Sequence, residues 1–246
     1  MDLLEFDEGI DISHWYYYSK YKAMLKILKE ASAWPPGSRD DGIIVDVGAG
    51  SAIFTQAFLK ELGSNGKAAY AVDKNYGEGR IGFHNGVHFC TALPGEADPF
   101  YFFFVDVVEH IDEDALFLKS WSGKSKSGSV FLLTAPAYNW LWSSHDDFLK
   151  HKRRYSLNEL EKIVMEANLA ILKSCYYFAT LLPFAVVKRK ILEPLLNNLG
   201  LFLKPGIKAT NKNINSLLKT LQKVETAFSP LNRFFGLTCI VVAKKT

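Results

Sequence analysis

The sequence predicts an α/β fold with a mainly parallel sheet, and three observations support that prediction. Short apolar runs alternate with segments whose apolar residues recur at helical spacing. The apolar run at residues 43–47 leads directly into a D-x-G-x-G turn and then into an amphipathic segment. The runs at 101–105 and 129–134 are apolar throughout, as expected of strands buried on both faces. Alternating elements of this kind place helices on both faces of a mainly parallel sheet.

The individual elements follow one another with short connections. The predicted strands cover residues 43–47, 68–72, 87–90, 101–105, 129–134, 170–176 and 237–243. The predicted helices cover residues 12–33, 52–62, 112–121 and 156–167. The last of these helices begins at a capping box, Ser156-Leu157-Asn158-Glu159. Residues 75–86 are rich in glycine and are expected to form a loop, with His84 and His88 read as loop residues.

The glycine turn after the first strand predicts a site for a nucleotide-type cofactor. Gly48 and Gly50 allow a tight turn and a close backbone approach to a ligand. The helix that follows offers unpaired N–H groups to an electronegative ligand group. A carboxylate, Asp46, lies two residues before the first glycine and favours a cationic ligand over a pyrophosphate. S-adenosylmethionine carries a sulfonium and an ammonium group, so it fits this turn.

The second strand supplies a further carboxylate, Asp73, at its end. Asp73 follows Gly50 at close to the ~20-residue spacing that is usual for a ribose-binding acid. A dinucleotide site normally has a third glycine for close packing of the helix on the strand, and Ile53 occupies that position here. A nicotinamide-dependent oxidoreductase is therefore kept only as a less favoured alternative.

Four motifs together resemble the class I S-adenosylmethionine-dependent methyltransferases. They are V-D-V-G-A-G at 45–50, A-V-D at 71–73, D-V-V-E-H at 106–110 and L-L-T-A-P at 132–136. The resemblance covers roughly residues 40–170 and the last strand, and it is strongest to small-molecule methyltransferases with a D-V-x-E-H motif. It implies a three-layer, Rossmann-like sandwich with seven strands, the last one antiparallel beside the fifth. It also implies that residues 1–36 form a helical lid.

The cofactor site implied by the motifs comprises residues at the ends of three strands. Its members are Asp46, Gly48, Ala49, Gly50, Asp73, Lys74, Asp106 and Val107. The turn would hold the methionine part of the cofactor, Asp73 the ribose, and Asp106 would face the sulfonium side. The chain departs from the family pattern at Ala52, at Phe100 and at 89–92. These departures leave open a non-catalytic binding or interaction module on a methyltransferase fold.

Methyl transfer to a hydroxyl or amine is helped by a base, and three histidines are candidates. His110 lies four residues after Asp106, while His145 and His151 lie in the long loop after the fifth strand. The candidate acceptor-binding residues in and after that loop are Trp140, Trp142, Arg154 and Tyr155. No metal is expected, because acids near a helix N-terminus usually serve as caps and dipole partners.

The segment between the sixth and seventh strands, residues 177–236, is too long for a simple connection. It predicts a helical insertion in a core of residues 37–176 and 237–246. A cap over the acceptor pocket is the favoured interpretation, and a helical subdomain packed on the sheet or a dimer interface are the alternatives. Residues 1–150 carry 13 Lys and Arg against 21 Asp and Glu, so their charge is 13 − 21 = −8. Residues 151–246 carry 16 against 5, so their charge is 16 − 5 = +11. Peripheral membrane contact through 176–205 is a further expectation.

Composition and short motifs indicate the compartment and the class of acceptor. Three widely spaced cysteines without a C-x-x-C pair are typical of a reduced, cytoplasmic compartment. The first eight residues are acidic, unlike the basic start of a signal peptide. The tetrapeptide typical of nucleic-acid methyltransferases is absent, so the expected acceptor is a small molecule, a lipid or a glycan precursor. The identity of the acceptor and the oligomeric state are left open.

Overall fold

The computed structural model describes residues 11–34, 43–63, 69–201 and 210–246, which include one sheet of eight strands. Parts of the expected lid and the acidic first residues lie outside these ranges. The strands are β1 (Ile44–Val47), β2 (Ala69–Val72), β3 (Gly82–His84), β4 (Val87–Cys90), β5 (Tyr101–Val105), β6 (Val130–Pro136), β7 (Leu169–Tyr177) and β8 (Thr238–Lys245). Their order across the sheet is β3-β4-β2-β1-β5-β6-β8-β7.

The α-helices flank the two faces of the sheet and the edge at which its parallel strands end. They are α1 (Trp15–Glu30), α2 (Ile53–Leu62), α3 (Asp114–Lys124), α4 (Ser144–Phe148), α5 (Leu157–Glu166), α6 (Leu182–Val187), α7 (Glu193–Asn198) and α8 (Lys212–Phe228). A π-helical segment, Lys188–Leu192, joins α6 to α7. Short 3-10 turns cover Val108–His110, Asn139–Leu141 and Ser229–Leu231. The capping box at the start of α5 is confirmed, since Ser156 accepts a hydrogen bond from the amide of Glu159.

The strand pairing confirms the predicted architecture. β1 pairs in parallel with β2 and β5, and β5 pairs in parallel with β6. β8 lies antiparallel between β6 and β7, so the last strand does insert beside the strand expected to be fifth. All of these parallel strands end at the same edge of the sheet, the carboxyl edge. The loops after β1, β2, β5 and β6 therefore lie together there.

The prediction of a loop over 75–86 was wrong in part. Residues 82–84 form an edge strand that pairs antiparallel with β4, so His84 and His88 lie in strands. Asn85 and Gly86 connect the two strands, and both have positive φ, 52° and 82°. This Asn-Gly pair is the usual sequence of a two-residue hairpin turn.

The core lies on both faces of the sheet because side chains alternate along each strand. On one face Ile44, Tyr101 and Phe103 pack with residues of α1 and α2. On the other face Phe102, Phe104 and Phe131 pack with residues of α3 and α5. The sheet is thus covered on both faces, and ligands of such open α/β sheets bind at the carboxyl ends of the strands. Within the described ranges, no helix combines the length and apolar character needed to cross a bilayer.

Helix α1 lies against the carboxyl edge and is tied there by a buried ion pair. Lys20 is only 1% exposed, and its ammonium group contacts the carboxylate of Asp106, whose side chain is 22% exposed. Thr134 at the end of β6 donates a hydrogen bond of 2.9 Å to the other oxygen of Asp106. The ion pair thus joins α1 to the ends of β5 and β6.

We expect Lys20→Met to lower the free energy of unfolding by about 3 kcal/mol, because it leaves Asp106 without its counter-ion. Urea denaturation measures this. Lys26→Met, which breaks the exposed pair with Glu30, is the matched control and should cost much less, because water and salt screen an exposed pair. Asp106→Asn in the Lys20→Met background should recover most of the loss. Equal losses in the two single variants would contradict the assigned role of Lys20.

Candidate functional site

The turn after β1 has the strained geometry that only glycine tolerates well. Gly48 and Gly50 have φ of +68° and +53°. A Cβ on Gly48 would lie 2.9 Å from Cγ2 of Val107, so the turn touches the loop after β5 directly. The amides of Gly48 and Ala49 donate to the carbonyl of Val72 at 2.7 and 3.3 Å, which fixes the turn to the end of β2.

Asp46 and Asp73 are both buried beside this turn. Thr55 donates a 2.5 Å hydrogen bond to Asp46, and the amides of Gly50 and Asn75 donate to Asp73 at 3.1 and 2.9 Å. Burial raises the pKa of Asp46 to about 6, and the neighbouring charge of Asp73 contributes to the rise despite the hydrogen bond from Thr55. The two carboxylates therefore form one electronegative region around the turn.

Tyr76 and Arg80 complete the wall of this region. The hydroxyl of Tyr76 donates to the carbonyl of Gly50 at 2.7 Å, and the guanidinium of Arg80 donates to the carbonyl of Ser51 at 3.0 Å. Arg80 also lies over the ring of Phe89. Lys74, a sequence-based candidate, follows Asp73 and is exposed.

Asp106 begins the loop after β5 with a left-handed backbone, φ +54°. Its amide donates to the carbonyl and hydroxyl oxygens of Thr134. Burial raises the pKa of Asp106, but the charge and hydrogen bond of Lys20 outweigh burial and hold it below its usual value. Asp106 is therefore an anion whose charge is already compensated by Lys20.

A cavity of about 180 Å³ lies beside Asp106 on the side away from β2. All three candidate histidines, His110, His145 and His151, line it. The remaining lining residues come from α1, the loops after β5 and β6, the ends of β6 and β8, and the insertion: Trp15, Tyr16, Asp106, Glu109, Pro136, Leu149, Phe178, Leu181, Arg189, Leu237 and Thr238. The rings of Tyr16 and Phe178 stack at 5.3 Å, which joins α1 to the insertion at the cavity.

The loop after β6 is held by the fully buried carboxylate of Asp146. Its Oδ1 lies 2.8 Å from Nδ1 of His151 and accepts from Nε of Arg154 at 2.7 Å. Its Oδ2 accepts from the amide of Ser143 at 2.9 Å. Burial raises the pKa of Asp146, but the bond to His151 and the charge of Arg154 outweigh it and keep the carboxyl well below its usual range.

Glu109 is fully buried and differs from the other acids of the site. In the described part of the chain, neither of its carboxyl oxygens has a hydrogen-bond partner. Burial raises the pKa of Glu109 well above its usual value, and the charge of Asp106 adds to the rise. Glu109 lies with His110 and His151, their ligand atoms all within 4.8 Å of one another.

The four candidate acceptor-binding residues do not line the described cavity. Arg154 is buried and bonded to Asp146 and to the carbonyl of Ala137, at 3.0 Å for the latter. The hydroxyl of Tyr155 is also buried and donates to Asp114 at 2.6 Å. Trp140 is half exposed, and Trp142 donates to Asp147 at 2.8 Å. The structure thus gives Arg154 and Tyr155 internal partners behind the cavity wall.

Sequence reasoning missed two residues of the site. Lys20 could have been found from its place on the helical stripe of buried residues Tyr17, Met24 and Ile27, where an unpaired lysine would be costly. Glu109 entered the sequence analysis only as part of the D-V-V-E-H motif, and it lies in a 3-10 turn before α3. Nothing in the local sequence indicates that His151 returns to lie beside it.

Comparison with known proteins supports the fold. No protein-family model matches the sequence, and no curated protein matches it either. Among solved structures, a geranyl diphosphate methyltransferase bound to GPP and sinefungin is similar with a TM-score of 0.55 at 10% identity, over 94% of this chain and 79% of that one. A SAM-dependent methyltransferase from Thermotoga maritima gives 0.51 at 15% identity, over 94% and 93%.

A third neighbour is a phosphoethanolamine N-methyltransferase of Haemonchus contortus in complex with phosphomonomethylethanolamine and S-adenosylhomocysteine. Its TM-score is 0.50 at 15% identity, and the match covers 90% of this chain and 52% of that one. At such identities the likeness concerns the fold. The chain therefore has the Rossmann-like α/β fold found in solved methyltransferases.

Proposed function

We propose that this protein is an S-adenosylmethionine-dependent methyltransferase acting on a small-molecule, lipid or glycan-type acceptor. The observation that carries the proposal is the pair of buried carboxylates, Asp46 and Asp73, on either side of the positive-φ glycine turn. The turn contacts Val107, which adjoins the cavity where the three histidines lie. A cofactor region and an acceptor region are thus adjacent at one edge of the sheet.

Each region has a definite task in such a reaction. When bound, the cofactor supplies an electrophilic methyl group on a positively charged sulfur. Its methionine part would be held by Asp46, Gly48, Ala49 and Gly50. Its ribose would lie beside Asp73 and Lys74. Asp106 and Val107 would contact the side of the cofactor that faces the cavity. Residues that held an acceptor in line with the methyl–sulfur bond would contribute about 7–11 kcal/mol, the range seen in well-oriented reactions, with the thioether as leaving group. His110, His145 or His151 would take the acceptor's proton.

We expect S-adenosylhomocysteine to bind the purified protein in calorimetry, and NAD not to bind. Asp73→Ala should weaken binding of S-adenosylhomocysteine about 10- to 100-fold, since charge-assisted hydrogen bonds to the ribose are lost. Asp98→Ala removes an exposed acid paired with Lys126 and is the control, with unchanged affinity. Unchanged affinity in Asp73→Ala would refute the ribose assignment.

Binding of S-adenosylhomocysteine should also depend on pH through Asp46. Its pKa of about 6 means that the carboxylate form, which attracts the ligand's ammonium group, becomes populated as pH rises through that value. Calorimetry from about pH 5 to about pH 8 should show affinity rising with pH. Asp46→Asn should flatten this rise, because it removes the titrating carboxyl group and leaves the neighbouring Asp73 and Tyr76 in place. A variant profile identical to that of the wild type would show that Asp46 is not responsible.

We further propose that the insertion, residues 177–236, caps the acceptor cavity and rests on an anionic membrane surface. Phe178, Leu181 and Arg189 supply part of the cavity wall, which supports the cap. The helices of the insertion turn polar residues inward: Arg189 donates to the carbonyl of Leu141 at 2.9 Å, and Glu193 accepts from the amide of Ser144 at 2.8 Å.

The outer face of α8 supports membrane contact. Its inward residues are the polar Gln222 and Glu225, and Glu225 accepts from the amides of Ala179 and Thr180. Apolar side chains at helical spacing face outward instead, among them Leu217 and Phe228, which are 68% and 67% exposed. The net charge of +11 in residues 151–246 complements anionic headgroups.

Flotation with phosphatidylserine-containing vesicles tests this contact. We expect the wild type to float with the vesicles at low salt and a Leu217→Glu, Val224→Glu, Phe228→Glu variant to stay behind. A Leu116→Glu, Met165→Glu variant changes exposed apolar residues elsewhere and should float like the wild type. Wild-type protein that fails to float, or that instead forms a dimer dependent on the same α8 residues, would overturn the membrane proposal.

A further inference from the structure

We propose that Glu109, His110 and His151 form a binding site for one divalent transition-metal ion in the wall of the cavity. The ligand atoms of the three side chains lie within 4.8 Å of one another. Two imidazoles and one carboxylate are a ligand set used by catalytic Zn²⁺ sites. Bonds of about 2.1 Å would bring the ligand atoms closer together, so binding would draw the three side chains inward.

Glu109 provides the first independent indication of a ligand. It is fully buried, and both carboxyl oxygens are without a hydrogen-bond partner in the described residues. Buried polar atoms are nearly always satisfied, so two orphaned oxygens on one carboxyl group require an explanation. The nearby cation, Lys20, contacts Asp106 instead. An ion between Glu109 and the imidazoles would satisfy the carboxylate and compensate its charge.

His151 provides the second indication through its partner Asp146. Nδ1 of His151 lies 2.8 Å from Oδ1 of Asp146, so Nε2 is the nitrogen left to bind an ion. A carboxylate on the far nitrogen is the arrangement that orients metal-binding histidines in proteins. Asp146 is itself fixed by Arg154 and Ser143. The imidazole is therefore held in one orientation, with its ring 4.8 Å from that of His110 between centroids.

The backbone around the cluster is rigidly joined. The amide of Lys152 donates to the carbonyl of Glu109 at 2.7 Å, which brings His151 beside the 3-10 turn Val108–His110. The hydroxyl of Tyr155 donates to the carbonyl of Val108 at 3.1 Å. Arg153 donates to Asp114 at 3.0 Å and to the carbonyl of Asp112 at 2.8 Å. These bonds hold two distant parts of the sequence side by side, so that only side-chain movements are needed to close around an ion.

The ligand set also indicates the kind of ion and its use. Imidazole ligands favour Zn²⁺ and similar first-row ions, whereas Mg²⁺ prefers oxygen ligands alone. Three protein ligands leave coordination positions open toward the cavity. The role of the ion rests on the proposed function: a metal there would bind an acceptor hydroxyl and lower its pKa. With His110 and His151 bound to the ion, His145 is the histidine of the cavity left to take the acceptor's proton. The site therefore predicts an oxygen acceptor.

Metal binding is tested directly, without turnover. Chelator-treated protein is titrated with Co²⁺, whose visible absorption reports nitrogen and oxygen ligation, and with Zn²⁺ in calorimetry. We expect one ion per chain and a thermal unfolding temperature raised by Zn²⁺. His151→Ala and Glu109→Gln should each weaken binding at least 10-fold, and Asp146→Asn about 10- to 100-fold. His84→Ala, at the opposite edge of the sheet, should bind like the wild type.

Several outcomes would overturn the site. Wild-type protein that binds neither ion at one per chain would do so, as would His151→Ala and Glu109→Gln variants that bind as well as the wild type. Glu109→Gln replaces the carboxyl group with a neutral group of nearly the same shape, so this variant is expected to fold even if His151→Ala does not. Binding of S-adenosylhomocysteine, measured on the same samples, separates failure of the metal site from failure of the proposed function.

Discussion

Burial of negative charge at the carboxyl edge is the constraint on which the rest of this structure depends. Asp46, Asp73, Asp106, Glu109 and Asp146 are gathered there because their strands or loops end at the same edge. Carboxylates removed from water are costly unless they are paired or hydrogen-bonded. Each of the five therefore has to be explained by what lies against it.

Four of the acids have partners that also build the local structure. The partner of Asp46 is a hydroxyl of α2, and that of Asp73 is the glycine turn itself. Asp106 uses a lysine of α1, and Asp146 uses an arginine and a histidine of its own loop. Pairing the acids thus positions a helix, a turn and a loop. Glu109 is the exception, and the proposed ion would give it the partner that the described side chains do not.

The central parallel strands were predictable because they are continuous apolar runs, and β5 was located to the residue. The bounds of β4 were also predicted, although His88 within it was interpreted as a loop residue. The hairpin at 82–90 was missed because the glycine content of 75–86 was taken to predict a loop. The Asn85-Gly86 pair, which is typical of a two-residue hairpin turn, is the signal that predicts the two strands. The glycine turn and its two acids were predictable because they are local in sequence. Strand order could be inferred only from the resemblance to a known family.

The second half of the site was less accessible to sequence reasoning because it depends on contacts between distant residues. Lys20 and Asp106 are 86 positions apart, and Glu109 lies 42 positions before His151. The three candidate histidines follow β5 and β6 in sequence, and all of them line one cavity. The roles of Arg154 and Tyr155 could not be deduced, since an arginine or tyrosine that faces a ligand and one that holds a loop look alike in sequence.

The amide side chain of Asn215 attaches the first turn of α1 to α8. Asn215 accepts from the amide of Trp15 at 2.6 Å and donates to the carbonyl of Ser13 at 3.1 Å. Trp15 and Tyr16 are also walls of the cavity. If α8 moves, either Trp15 and Tyr16 in the cavity wall move with it or these two hydrogen bonds break. The position of α8 and the shape of the cavity wall are therefore coupled through Asn215.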